Sequence, residues 1–145
     1  MELTFLYILF SLSMHNSIPN IVTEYHEVQT KSQELTFIDK YKNSRQVAIR
    51  GYVISLQIKH AKDKLMPWQK LKVFNAYTNE LEDLIQNHSE NVHLRYLRLV
   101  IQEKAPSLLN YNSDIEGDKF FLAEFLAKKD STDYLDTYII KNTSL

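Results

Sequence analysis

Glu90-Asn-Val-His-Leu-Arg-Tyr-Leu-Arg-Leu-Val-Ile-Gln-Glu103 decides the fold. Val92, Tyr96 and Leu99 form one apolar stripe at helical spacing, and Leu94, Leu97 and Ile101 form a second, with Val100 between them. Asn91, Arg95, Arg98 and Gln102 are left as a single polar seam. A helix that is apolar on nearly every side must be covered on most of its circumference, which makes it the central element of a helical stack. The stretch specifies an architecture and no chemistry.

Downstream and upstream of it the same period recurs. Pro67 suits a first helical position, where its missing donor is harmless. Leu71, Phe74, Thr78, Leu81 and Ile85 then make a stripe, broadened by Val73, Tyr77 and Leu84. Asn87-His88-Ser89 ends that helix, and Ser89 is expected to cap the central one. Pro106 stops the central helix because it cannot donate to the ladder. After an apolar link at Leu108, Leu109 and Tyr111, Ser113-Asp-Ile-Glu116 reads as a capping box. The helix it opens packs through Ile115, Phe121, Leu122 and Phe125 to about Lys128, and a last helix after Asp130-Ser131 uses Tyr134, Leu135, Tyr138 and Ile139.

Toward the N-terminus, a helix is expected from about Ile21 to Gln29, and another after Thr30 with Leu35, Ile38 and Tyr41 on one side. Arg45 to Lys62 fits two periods. Tyr52, Ile54, Leu56 and Ile58 alternate like a half-buried strand, whereas Val47, Gly51, Ile54, Ile58 and Ala61 fit a helix. A lone strand would lack a partner, so helix is the better reading. Both glycines, Gly51 and Gly117, then fall inside helices, where each is disfavoured by ~1 kcal/mol against alanine. Close approach of a neighbouring helix is the expected return, or, for Gly117, a break.

With 145 residues and a 44% apolar fraction, the chain has the size of one domain with its own core. The net charge of −1 supplies no overall field for nucleic acid or an acidic membrane. The absence of cysteine excludes disulfides, thiolate metal sites and cysteine nucleophiles. Leu3 to Met14 is mostly apolar and carries no charge, too short to span a bilayer but as long as a signal-peptide core. Glu2 stands where such a leader has a basic residue; an uncleaved anchor and a buried first helix are the other two readings.

From Leu71 to Leu97 the chain resembles one tetratricopeptide-type junction: an amphipathic helix, the turn Asn87-His-Ser-Glu-Asn91, and a second helix. No clean internal repeat accompanies it, although full arrays need three or more units. More widely, Tyr25 to about Leu126 resembles a group of small uncharacterised bacterial proteins of flavobacteria and relatives. The residues carrying that resemblance are Gly51-Tyr52, Ala61-Lys62, Pro67, Lys70-Leu71, Leu81-Glu82, Arg95-Tyr-Leu-Arg-Leu99, Ile101-Gln-Glu103, Pro106, Leu109, Tyr111, Ile115 and Asp118-Lys119. The resemblance implies an exported, all-helical chain without an assigned activity. Two features depart from the group: the basic start and Ala-Gln ending of the leader are missing, and Met66 replaces a capping side chain before Pro67.

The polar seam Asn91, Arg95, Arg98 and Gln102 is the first candidate surface for a partner or ligand, since two arginines on one edge can hold a carboxylate or phosphate. The competing reading pairs those arginines internally with Glu82, Glu103, Asp114 or Asp118. Tyr111, Asp118 and Lys119 are a second, weaker candidate, since acidic residues near a helix start also serve the helix dipole. The five histidines lack metal-ligand spacing, and no nucleophile elbow or glycine-rich loop is present. Lys59-His-Ala-Lys-Asp-Lys64 with Trp68 nearby is basic and aromatic, but its short length fits a solvated helix end better than a nucleic-acid platform.

The sequence therefore predicts an all-α fold, an antiparallel stack of about five or six helices with tetratricopeptide-like pairing. Residues 1–19 form a signal peptide or hydrophobic N-terminal segment, and residues 20–145 a single helical domain. No catalytic residue, cofactor or metal is expected. The function read from these features is a non-enzymatic interaction or structural protein of the bacterial cell envelope or periplasm, with another protein or peptide as partner, no nucleic acid, and membrane contact only through an uncleaved N-terminus. The alternative is a small cytosolic regulator or adaptor whose N-terminal segment completes the core.

Overall fold

A computed structural model describes residues 17–145, and these form seven α-helices with no strand. In chain order they are α1 (Ile18–Glu27), α2 (Lys31–Tyr41), α3 (Val47–His60), α4 (Pro67–Asn87), α5 (Val92–Lys104), α6 (Ile115–Leu126) and α7 (Asp136–Asn142). Short 3-10 turns follow α3, follow α5 and precede α7. The hydrophobic run Leu3 to Met14 lies outside the described residues. No helix among the described residues is long and apolar enough to cross a membrane.

The ambiguous stretch is a helix. Its mixed periodicity has a simple cause: α3 is enclosed on nearly all sides, with Ala48, Ile49, every residue from Gly51 to Leu56, and Ile58 buried. A helix buried all round shows no polar face, so neither period dominates its sequence. It packs against α1, α2, α4 and α5. The central role expected of the 90–103 stretch is therefore shared, with α3 as the hub and α5 lying beside it.

Gly51 explains how the two fit together. A β-carbon there would stand 2.6 Å from Leu94 Cδ2 and 3.1 Å from Leu97 Cδ1. The missing side chain is the space that α5 fills. Gly117 has open space around it and sits within α6, so it marks neither a close approach nor a break.

Local signals differ from expectation at several ends. α1 begins at Ile18, with Pro19 in its first turn, where the backbone donors are free in any case. Thr30 and Gln33 form the capping box of α2: Gln33 N–H donates to Thr30 Oγ1 at 3.2 Å, and Thr30 N–H donates to Gln33 Oε1 at 3.0 Å. α5 is capped by Asn91, not Ser89; Asn91 Oδ1 accepts from Leu94 N–H at 3.3 Å. Ser113 and Glu116 make no capping box either. Ser113 instead donates to Asp114 Oδ2 at 2.7 Å, and Asp114 takes the N-cap position. On α2 the buried side is Glu34, Phe37 and Tyr41, while Leu35 is 50% exposed. A buried glutamate displaces leucine there because Glu34 meets His60 Nε2 at 2.9 Å and also pairs with Lys59 of α3.

Gly51→Ala is expected to lower stability by about 1–2 kcal/mol, since overpacking against the fully buried Leu94 outweighs the helix-propensity gain. Gly117→Ala is expected to raise it by up to ~1 kcal/mol. Urea denaturation of the two variants checks the opposite signs.

Candidate functional site

Two features could carry function: a buried arginine cluster between α4, α5 and α6, and an apolar groove between the start of α4 and the end of α5.

The cluster is built around Asp118, one turn into α6 and fully buried. Arg98 grips its carboxylate with one edge of the guanidinium, Nε donating to Oδ2 and the second terminal nitrogen to Oδ1, each at 2.7 Å. The remaining Arg98 nitrogen donates to Glu82 Oε2 of α4 at 2.7 Å and lies 3.6 Å from Asp114 Oδ1. Arg95 Nε lies 2.6 Å from Asp118 Oδ1, and the guanidinium rests over the Phe121 ring at 4.7 Å. Tyr111 donates its hydroxyl to Glu82, and Gln102 reaches Asp114 Oδ2 at 3.4 Å.

Arg98 and Gln102 of the polar seam are thus buried with donors turned into the fold, Arg95 is mostly covered, and Asn91 serves as the cap of α5. Tyr111 and Asp118 join the same cluster, while Lys119 sits at its edge, 3.8 Å from Glu103 and 3.9 Å from Glu116. Gln102, Tyr111 and Lys119 also border an open cavity of about 680 Å³ closed on its other side by Thr143 and Ser144. Ser144 is held there by Glu103, to which its backbone N–H donates at 3.1 Å.

The electrostatics follow from this pairing. Burial pulls the Arg98 guanidinium toward deprotonation, but the carboxylates of Asp118 and Glu82 more than offset it and hold it charged. Burial, reinforced by Glu82, raises the Tyr111 phenol, which stays a donor. On the other side of α5, His93 bridges Tyr52 at Nδ1 (2.8 Å) and Tyr134 at Nε2 (3.1 Å), tying α3 to the turn before α7. Burial lowers its pKa to about 4. His26, stacked on Tyr138 at 4.0 Å, is lowered to about 4 by burial and by Lys141 and Lys104.

The second feature is concave and mostly apolar. A cavity of about 1040 Å³ opens between the end of α1, the end of α3, the start of α4 and the 105–109 link after α5. Leu56, Ile58, Phe74, Leu97 and Ile101 help to floor it, and Trp68, Leu71 and Leu108 stand at its rim. These three rim residues are 65%, 45% and 88% exposed. Its floor offers few free polar groups: the Tyr25 and Ser55 hydroxyls lie 2.9 Å apart, and Ser55 donates to the Tyr52 carbonyl at 2.7 Å.

Helical spacing puts Leu71 on the core stripe of α4 and Leu108 in an apolar link, yet both are exposed at the groove. The signal that could have separated them was Trp68 three residues before Leu71. Together they extend an apolar face beyond the length that α3 and α5 can cover.

No group of three or more histidine, aspartate or glutamate side chains is placed to hold a metal among the described residues. No family model, curated protein or solved structure matches the chain.

Arg98→Ala leaves Asp118 buried without its bidentate partner and is expected to cost about 3–5 kcal/mol in urea denaturation. Arg95→Ala, which leaves Asp118 its two hydrogen bonds from Arg98, should cost clearly less. Stability should also fall in acid. In the unfolded chain His93 titrates near 6.5, so below that pH the unfolded state gains its proton first. The contribution is complete above pH 6.5 and is lost as pH falls toward 4, on the order of 3 kcal/mol for His93, with the same sign for His26. His93→Gln should flatten that part of the pH–stability curve.

Proposed function

We propose that this chain is a non-enzymatic helical binding protein that holds the apolar part of a partner in the groove beneath the start of α4. The single observation behind this reading is the groove itself. It is a half-open apolar cavity, at the upper end of the size range of small-molecule sites, with Trp68, Leu71 and Leu108 left exposed at its edge. Exposed apolar residues that converge on one cavity mark an interaction site more than scattered ones do. Most polar groups of the arginine cluster, by contrast, are spent on one another, with the buried Gln102 Oε1 left unpartnered among the described residues. The pairing of α4 with α5 across a short turn supports a tetratricopeptide-like style of packing, in which a concave face takes the partner. Placement in the cell envelope or periplasm belongs to the same proposal and rests on the leader-like Leu3 to Met14 and the resemblance to exported helical proteins.

Nile red, an uncharged apolar dye, tests the groove without reference to charge. Saturable binding near one dye per chain is expected, weakened at least tenfold by Leu71→Glu, with the thermal midpoint nearly unchanged because Leu71 is half exposed. No binding, or binding indifferent to Leu71→Glu, would remove the groove as the site.

A further inference from the structure

The rim of the groove is charged in one sense. Lys59, Lys62, Lys70 and Lys104 border it, and Glu34 is the one carboxylate lining it among the described residues. Glu34 is buried and already held by Lys59 and His60. Lys62, Lys70 and Lys104 have no acidic partner within ion-pair distance among the described residues, although the chain as a whole is slightly acidic. Three unpaired ammonium groups around an apolar cavity, with no free carboxylate to answer them, call for an anionic head on an apolar body.

Polarity separates the possible bodies. An amphipathic helix has one apolar face and would set the polar remainder of its surface against the apolar walls of the groove. Any non-helical peptide would bring backbone N–H and C=O groups to a floor whose own polar groups already bond to one another. A single aliphatic chain brings no such groups, and it fits within the roughly 1040 Å³ present. On the groove reading above, we propose that the occupant is a single-chain anionic amphiphile of the fatty-acid class. Its tail lies along Phe74, Leu97 and Ile101, and its carboxylate stands among Lys62, Lys70 and Lys104. Trp68 lies between tail and head, where an amphipathic ring is best placed.

Trp68 is the chain's one tryptophan, so the site carries its own reporter. Full-length protein titrated with sodium oleate, below the concentration at which it aggregates, should show a blue shift of Trp68 emission that saturates near one oleate per chain and displaces Nile red. Combining Lys62→Glu, Lys70→Glu and Lys104→Glu should weaken oleate at least tenfold and leave Nile red binding in place. Dodecyltrimethylammonium, an aliphatic chain with a cationic head, should bind at least tenfold more weakly than oleate. Nile red binding without any oleate response would overturn the amphiphile and leave the groove reading standing, and failure of both probes would overturn both. Equal binding of the cationic and anionic amphiphiles, or indifference to the three reversals, would overturn the role of the lysines. Tighter capture of phosphatidylglycerol vesicles or of an acidic amphipathic peptide than of oleate would assign the surface to a membrane or a partner helix. Trp68 emission already blue in the free chain and unresponsive to every probe would mean that the chain itself, or a second copy, fills the groove.

Discussion

The crossing of α3 and α5 is the constraint on which the remaining helices depend. With no side chain at Gly51, α3 admits Leu94 and Leu97 of α5 into its own envelope, where both are almost wholly buried. Two helices this close and this apolar leave their outer faces to be covered by others. α1 and α2 close one side of α3, α6 closes α5, and α4 packs against both members of the central pair. Length then creates the groove. α4 has 21 residues and α3 and α5 have 14 and 13, so α4 runs about 31 Å against about 20 Å for its partners. Its C-terminal half is buried through Leu81, Leu84 and Ile85, while every residue from Pro67 to Lys72 is exposed. The overhang encloses the cavity together with the 105–109 link, the ends of α1 and α3 and the C-terminal half of α5.

The arginine cluster does different work. α6 is short and offers Asp118 and Leu122 as its fully covered residues. Its anchorage to α5 is correspondingly polar: the bidentate Arg98–Asp118 pair fixes both position and orientation, as planar recognition between guanidinium and carboxylate requires. Glu82 extends the lock to α4 and, through the Tyr111 hydroxyl, to the chain leading into α6. A buried pair of this kind is weak evidence for net stability but strong evidence for a fixed arrangement, since losing either partner strands a charge.

Amphipathic period was the most legible part of the sequence. The Phe74, Thr78, Leu81, Leu84 and Ile85 face of α4 is buried as the pattern requires, and the all-helical class follows from it. α3 was ambiguous for a physical reason, because a helix covered on every side has no polar period to display. Caps were misplaced where two candidates stood within two residues, as with Ser89 and Asn91, because only the backbone trajectory decides which side chain reaches a free N–H. Leu35 and Leu71 fall on core stripes by their helical spacing, yet both are exposed. Pattern shows which face of a helix is apolar, not how far along its length a neighbour reaches. Asp118 shows the converse: an acid at a helix start fits the dipole equally well whether solvated or fully enclosed, and only tertiary packing separates the two.

Charge is distributed by the same packing. The net charge of −1 conceals an imbalance, because the acids are drawn inward more than the lysines. Glu34, Glu82, Glu103, Asp114 and Asp118 all face arginine, lysine, histidine, tyrosine, glutamine or serine partners that join one helix or turn to another. Lysine suits the opposite role, since its long stem can lie along apolar surface while the ammonium stays in water. Lys62, Lys70 and Lys104 stand where three elements end around the apolar overhang, one beyond α3, one near the start of α4 and one closing α5. Among the described residues, the packing that forms this cavity also rims it with unpaired positive charge, so that an apolar body meets an attractive surface when it carries a negative head.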